Sequence, residues 1–142
     1  MSGAVRKRFD RKLYEECDQR ARECTTQYLT SIGYQVEPHP DRYAQDLIAS
    51  KDDFSYMVEC EMKLVWEGID FPYPTVQLPE RKKKFFSPPT QFFIWNSLGT
   101  HAVAFWSGDV EKLEPVEVPN RYVYSGEMFF QIPLAYVERI EL

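Results

Sequence analysis

From Phe9 to Ile32 apolar side chains return at helical spacing: Phe9, Leu13, Cys17, Ala21, Cys24, Tyr28, Leu29 and Ile32, with charges on the other face. This spacing predicts a long amphipathic helix, closed by Gly33 as the residue after its C-cap. Tyr34 to Glu37 reads as a short strand, ended by Pro38-His39-Pro40. Ala44 to Ser50 reads as a second strand, and Lys51-Asp52-Asp53 as a hairpin turn. Period-two alternation is clearest from Phe54 to Trp66. There Tyr56, Val58, Cys60, Met62, Leu64 and Trp66 form one face, and Met57, Glu59, Glu61, Lys63 and Val65 the other. Residues 67–80 read as a proline- and aromatic-rich loop, and Glu80 to Phe86 as a short basic helix with Pro79 at its first position. Gln91 to Ser97 and Thr100 to Trp106 flank Leu98-Gly99 as a hairpin, and short strands are expected near 115–118 and 128–132.

This order of elements predicts an α/β or α+β arrangement: a mixed sheet covered by at least one long helix. With 142 residues, 44% of them hydrophobic and 15% aromatic, the chain can build one buried core, and we read it as a single domain over 1–142. No apolar run reaches the roughly 18–20 residues of a membrane helix, so no membrane partner is expected. The first eight residues have no apolar stretch behind them, which argues against a secretory leader. Cys17, Cys24 and Cys60 have no zinc-like spacing and read as reduced thiols of a cytoplasmic protein. The six glycines include no phosphate-cradling loop, and no Gly-x-Ser-x-Gly occurs.

The formal charge of -5 is unevenly placed. Segments 1–24 and 71–106 carry net +2 and +3, whereas 37–70 and 107–142 carry -6 and -4. The most acidic block therefore contains the best strand. On that strand Glu59, Glu61 and Lys63 share a face, with neighbours on that face about 6–7 Å apart. If the hairpin folds Asp46 back alongside, Asp46 and Glu61 face each other with Lys63 beside them. Two carboxylates suit a hard cation such as Mg²⁺ or Mn²⁺, which needs few protein ligands when substrate phosphate supplies the rest. Such an ion lowers the pKa of bound water, and a neighbouring lysine can orient that water. Asp/Glu-x-Lys occurs three times, as Asp10-x-Lys12, Glu61-x-Lys63 and Glu80-x-Lys82, but only the middle one lies on an apolar strand behind another headed by Asp. The bland alternative is that these charges form the solvated face of an amphipathic strand.

The helix ending in Ile32-Gly33-Tyr34-Gln35-Val36, then Asp46-Leu47-Ile48, then Val58-Glu59-Cys60-Glu61-Met62-Lys63 resembles the PD-(D/E)XK nuclease superfamily over residues 9–66. Restriction-type endonucleases and Holliday-junction resolvases belong to it. The resemblance implies a restriction-endonuclease-like core of a central mixed sheet flanked by helices. It implies metal-dependent hydrolysis of phosphodiester bonds in DNA, with Asp46 and Glu61 as Mg²⁺ or Mn²⁺ ligands and Lys63 acting on the attacking water. A helix glutamate often joins such a site, and Glu23 matches that place. Pro40-Asp41 spells the name-giving dipeptide in a turn before the strand, so Asp41 stands as an alternative to Asp46, and Glu59 as an alternative to Glu61.

Arg81, Lys82, Lys83 and Lys84 form the densest positive run and are candidates for phosphate contact, with Phe85 and Phe86 either stacking a base or packing inward. Arg6-Lys7-Arg8 is a candidate basic arm. Gln77 and Gln91 are weaker candidates near the metal site, while His39, His101 and the three tryptophans read as structural. A chain this small would read duplex or junction DNA most simply as a homodimer. The competing reading is a catalytically idle relative that binds nucleic acid or protein, using the acidic 107–142 block and Phe71-Pro72-Tyr73-Pro74.

Overall fold

A computed structural model describes residues 10–118 and 127–142. Arg6, Lys7, Arg8 and Phe9, and part of the acidic C-terminal block, lie outside the described residues.

Helix α1 spans Arg11–Ser31. Its start is capped by Asp10, whose carboxylate accepts from the Leu13 backbone N–H at 3.1 Å. Its end is a Schellman arrangement, with Gly33 N–H donating to Thr30 O and Tyr34 N–H to Leu29 O. Gly33 takes φ 100° there, a left-handed conformation that favours glycine. The strands are β1 (Gln35–Pro38), β2 (Leu47–Lys51), β3 (Phe54–Met62), β4 (Thr75–Pro79), β5 (Thr90–Trp95), β6 (His101–Trp106), β7 (Val116–Val118), β8 (Glu127–Pro133) and β9 (Glu138–Glu141), with a one-turn helix α2 at Ser107–Val110.

Six strands form a mixed sheet in the order β1-β2-β3-β5-β6-β9, and β4-β8-β7 form a second, antiparallel sheet. Only β3 and β5 pair in parallel within the large sheet. Parallel neighbours need a long crossover, and here it is residues 63–89, carrying β4 and a 3₁₀ turn at Glu80–Phe85. The crossover is what brings the basic segment over the sheet face opposite α1.

Alternation along the strands therefore feeds two cores. Tyr56, Val58, Cys60 and Met62 of β3 join Phe93 and Trp95 of β5 beneath Ala21 and Leu29 of α1. Phe92 and Ile94 of β5 face the other way, against Val76 and Leu78 of β4, Phe130 and Ile132 of β8, and Phe85 and Phe86. A helix-to-sheet bond ties the first core, as Trp95 Nε1 donates to Thr25 Oγ1 at 2.8 Å. At the β5–β6 turn Gly99 has φ 73°, and a Cβ there would lie 2.9 Å from Cys24 Sγ. That turn is fitted to the helix as well as to the hairpin.

Several expectations shift. The run after Met62 leaves the strand, so Leu64 is exposed and Trp66 enters the second core, not the first. The 67–80 segment contains β4, whose Val76 and Leu78 alternate inward. Pro79 is the N-cap of a 3₁₀ turn, one place before the first helical position. Phe85 and Phe86 are buried, so neither is offered to a base. Strand β9, which closes the edge of the large sheet, had no signal beyond Val137 and Ile140 among charges.

Candidate functional site

Leu47 pairs with Val58 across the β2–β3 hairpin, so Asp46, one residue earlier, stands opposite Glu59. This corrects the expectation that Asp46 faces Glu61, which sits two residues further along β3. Asp46 is fixed at the strand mouth, where its Oδ2 accepts the Cys60 backbone N–H at 3.0 Å. Glu59 and Glu61 project to the second face, and their neighbours on β5 are Phe92 and Ile94. These carboxylates thus stand beside an apolar wall. Lys63 extends the pairing by one residue, its N–H donating to Trp95 O at 2.8 Å, and its ammonium lies 5.4 Å from the centre of the Tyr73 ring.

A cleft of about 400 Å³ gathers Asp46, Glu59, Glu61 and Lys63 with Gln77, Arg81 and Lys82 from the crossover, and Tyr14, Cys17 and Asp18 from α1. Glu23 is absent from this lining and exposed. It lies two residues from buried Ala21, about 200° around the helix, whereas Asp18 lies three residues before Ala21, about 60° away. The helix carboxylate of the cleft is therefore Asp18. Its signal was the apolar stripe Leu13, Cys17, Ala21, which Asp18 borders. Asp41 is exposed in its turn, where its Oδ1 accepts the Tyr43 N–H at 2.9 Å, and it does not line the cleft. Gln91 is buried and also outside the lining.

The basic run divides by partner. Lys82 Nζ meets Glu59 Oε2 at 2.5 Å, with both side chains largely withdrawn from water. Arg81 pairs with Glu127. Lys83 and Lys84 are exposed, and the Lys84 ammonium lies 5.0 Å from the centre of the Phe85 ring.

Crowded negative charge shows in the acid–base properties. Burial, then Asp46, pushes the Glu59 carboxyl up to about 7, against the pull of Lys82. Glu61 touches solvent at the cleft surface, yet the protein atoms ringing it displace enough water to raise its carboxyl pKa, with Lys63 and Lys82 opposing. Asp18 is raised by burial and then by Asp46. Burial alone would lower the Lys82 ammonium, but Glu59 and, behind it, Glu61 outweigh that and leave its pKa raised. Cys60 is raised by burial and Asp46, which keeps it a thiol.

A carboxyl whose folded pKa exceeds its unfolded value favours the fold when protonated. For Glu59 that contribution is complete below about 4.5 and is lost as pH rises toward about 7. In metal-free protein, wild type should therefore lose stability relative to Glu59→Gln across this window, by on the order of 1–3 kcal/mol. Urea unfolding at pH 5 and pH 8 checks this, and a pH-independent difference would contradict it.

The donor chemistry of the cleft, hard carboxylate oxygens from β3, from the residue before β2 and from α1, is of the type a divalent cation such as Mg²⁺ takes. Among the described residues, no three His, Cys, Asp or Glu are drawn together closely enough to hold one as they stand. Lys82 supplies the positive charge beside Glu59 instead. No helix among the described residues is long and apolar enough to cross a membrane. In comparisons with known proteins, no family model, curated protein or solved structure matches the chain.

Proposed function

We propose that the protein is a metal-dependent endonuclease of the PD-(D/E)XK type, built on a restriction-endonuclease-like core and hydrolysing phosphodiester bonds of DNA in the cytoplasm. One observation carries the reading: Asp46 at the mouth of one strand, and Glu59, Glu61 and Lys63 along its antiparallel neighbour, open into a single cleft. Asp46 and Glu61 would hold Mg²⁺ or Mn²⁺, with Glu59 and Asp18 close by and Asp18 replacing Glu23 as the helix carboxylate. The ion would supply Lewis acidity and an activated water. Lys63 orients that water and steadies charge on the scissile phosphate. Exposed Lys83 and Lys84, and Arg81 if it exchanges its pairing with Glu127, would take flanking phosphates, so binding would fall with salt. A symmetric dimer would present two such clefts to two strands.

The Lys82–Glu59 pair favours a second reading, a catalytically idle nucleic-acid-binding or protein-binding module in which an ammonium has taken over the cation's electrostatic task. Thermal unfolding against Mn²⁺ separates the two. For the nuclease, a metal concentration a hundredfold above Kd stabilises wild type by about 2.7 kcal/mol, and Asp46→Asn abolishes the shift. No shift in wild type, together with no cleavage, leaves the idle module.

A further inference from the structure

We propose that the pocket beside the cleft, between Tyr73 and the Gln77–Gln131 pair, binds one unpaired nucleobase of the strand whose phosphate lies at the carboxylates. This rests on the nucleic-acid reading above and names the feature of the substrate that the site selects. The pocket measures about 290 Å³ and is lined by Lys63, Phe71, Tyr73, Pro74, Thr75, Gln77 and Gln131. That is near the lower end of small-ligand pockets, about 300–1,000 Å³, and suits a planar ring system better than a folded chain. Lys63 and Gln77 line both this pocket and the cleft, so the two spaces adjoin.

The walls carry what a base requires. Tyr73 is 40% exposed, so ring surface stays open to a base beside the approach of the Lys63 ammonium, 5.4 Å from the ring centre. Its position is set by an edge contact to Phe71, 5.6 Å between centroids, and Phe71 in turn meets buried Trp66 at 5.2 Å. A ring held this way loses little freedom when a base stacks on it. Gln77 of β4 and Gln131 of β8 are register partners. Both are exposed, while their neighbours Val76, Leu78, Phe130 and Ile132 fill the core. Directly opposed residues have Cβ atoms about 4.5–5.5 Å apart, so two carboxamides, each with donor and acceptor, stand side by side at the pocket. That pair can meet the mixed donor and acceptor edge of a base. Among the described residues no acidic side chain lines the pocket, and Lys63 brings positive charge to it. A base inside a duplex has its faces stacked and its pairing edge occupied, so the pocket takes a base from a single strand, a flap or a frayed end.

The test is binding in EDTA at low salt, where no metal-dependent cutting occurs, with labelled single-stranded DNA, single-stranded RNA and blunt duplex DNA. Wild type is compared with Tyr73→Phe, which keeps the ring, and Tyr73→Leu, which keeps apolar bulk against Phe71 and so preserves folding. The expected result is single-strand affinity about tenfold or more weaker for Tyr73→Leu, near wild type for Tyr73→Phe, and duplex affinity unchanged by either. The DNA and RNA arms identify which sugar the unpaired strand carries, and loss in either arm supports the proposal. Equal single-strand binding by wild type and Tyr73→Leu would overturn it, as would equal losses on duplex or no single-strand binding at all. The Mn²⁺ shift in thermal stability judges the hydrolytic reading separately, so each can fail alone.

Discussion

Lys63→Ala is expected to slow metal-dependent cleavage by about 10²–10³-fold while leaving the fold intact. The backbone explains the second half. Lys63 N–H keeps its bond to Trp95 O whatever the side chain is, because the pairing belongs to the β3–β5 ladder. The side chain is only partly buried, and its contact with Tyr73 is a cation–π approach at 5.4 Å, worth about 0.5–1 kcal/mol at such a site. The chemistry explains the first half. Lys63 and Lys82 both bring an ammonium into the cleft, but Lys82 is engaged by Glu59 at 2.5 Å. Among the described residues lining the cleft, Lys63 is then the ammonium not held by a carboxylate, and removing it takes that charge away from an attacking water or a developing phosphate charge. Cleavage rates in Mg²⁺, with unfolding curves for both proteins, check the pair of statements. A Lys63→Ala protein that cuts as fast as wild type would contradict the assigned role.

The second large effect concerns stability. Trp95→Ala should cost about 3–5 kcal/mol, a large share of the roughly 5–15 kcal/mol that holds a domain folded. Trp95 is 0% exposed, lies in the central strand β5 and fills the core under α1. Its indole N–H bonds Thr25 Oγ1, which itself donates to Ala21 O at 2.7 Å, so the ring joins sheet to helix through a satisfied buried chain. Alanine would leave a cavity and break that chain. Because β5 is bonded to β3, the loosened sheet carries the carboxylates with it. Urea unfolding of wild type and variant measures the loss, and a midpoint change equivalent to less than 1 kcal/mol would be inconsistent with this packing.

Where period and punctuation were strong, the pattern read correctly. α1 follows the apolar stripe and Gly33, and the two hairpins follow Lys51-Asp52-Asp53 and Leu98-Gly99. The mixed sheet was legible in the same way, since a helix followed by hairpins of differing pattern has few other ways to bury its faces. Long-range register was not. A two-residue offset along β3 separates Asp46 facing Glu59 from Asp46 facing Glu61, and hairpin length alone does not carry that detail when the first strand begins after the Asp. The helix acid was sought by distance from Gly33, while helical phase determines which acid enters the cleft. β4 hid among prolines because its pattern spans only five residues. The partners of the basic run depend on a crossover of residues 63–89, which no local signal fixes.

Cleavage of a labelled set of duplex, flapped, branched and single-stranded DNA and RNA, with Mg²⁺ or Mn²⁺, by wild type and Glu61→Gln decides whether this carboxylate cleft cuts nucleic acid with a divalent cation. Wild type is expected to cut at least one substrate, with the cutting abolished by EDTA and by Glu61→Gln. No cutting of any substrate by folded wild type, or undiminished cutting by Glu61→Gln, would contradict it.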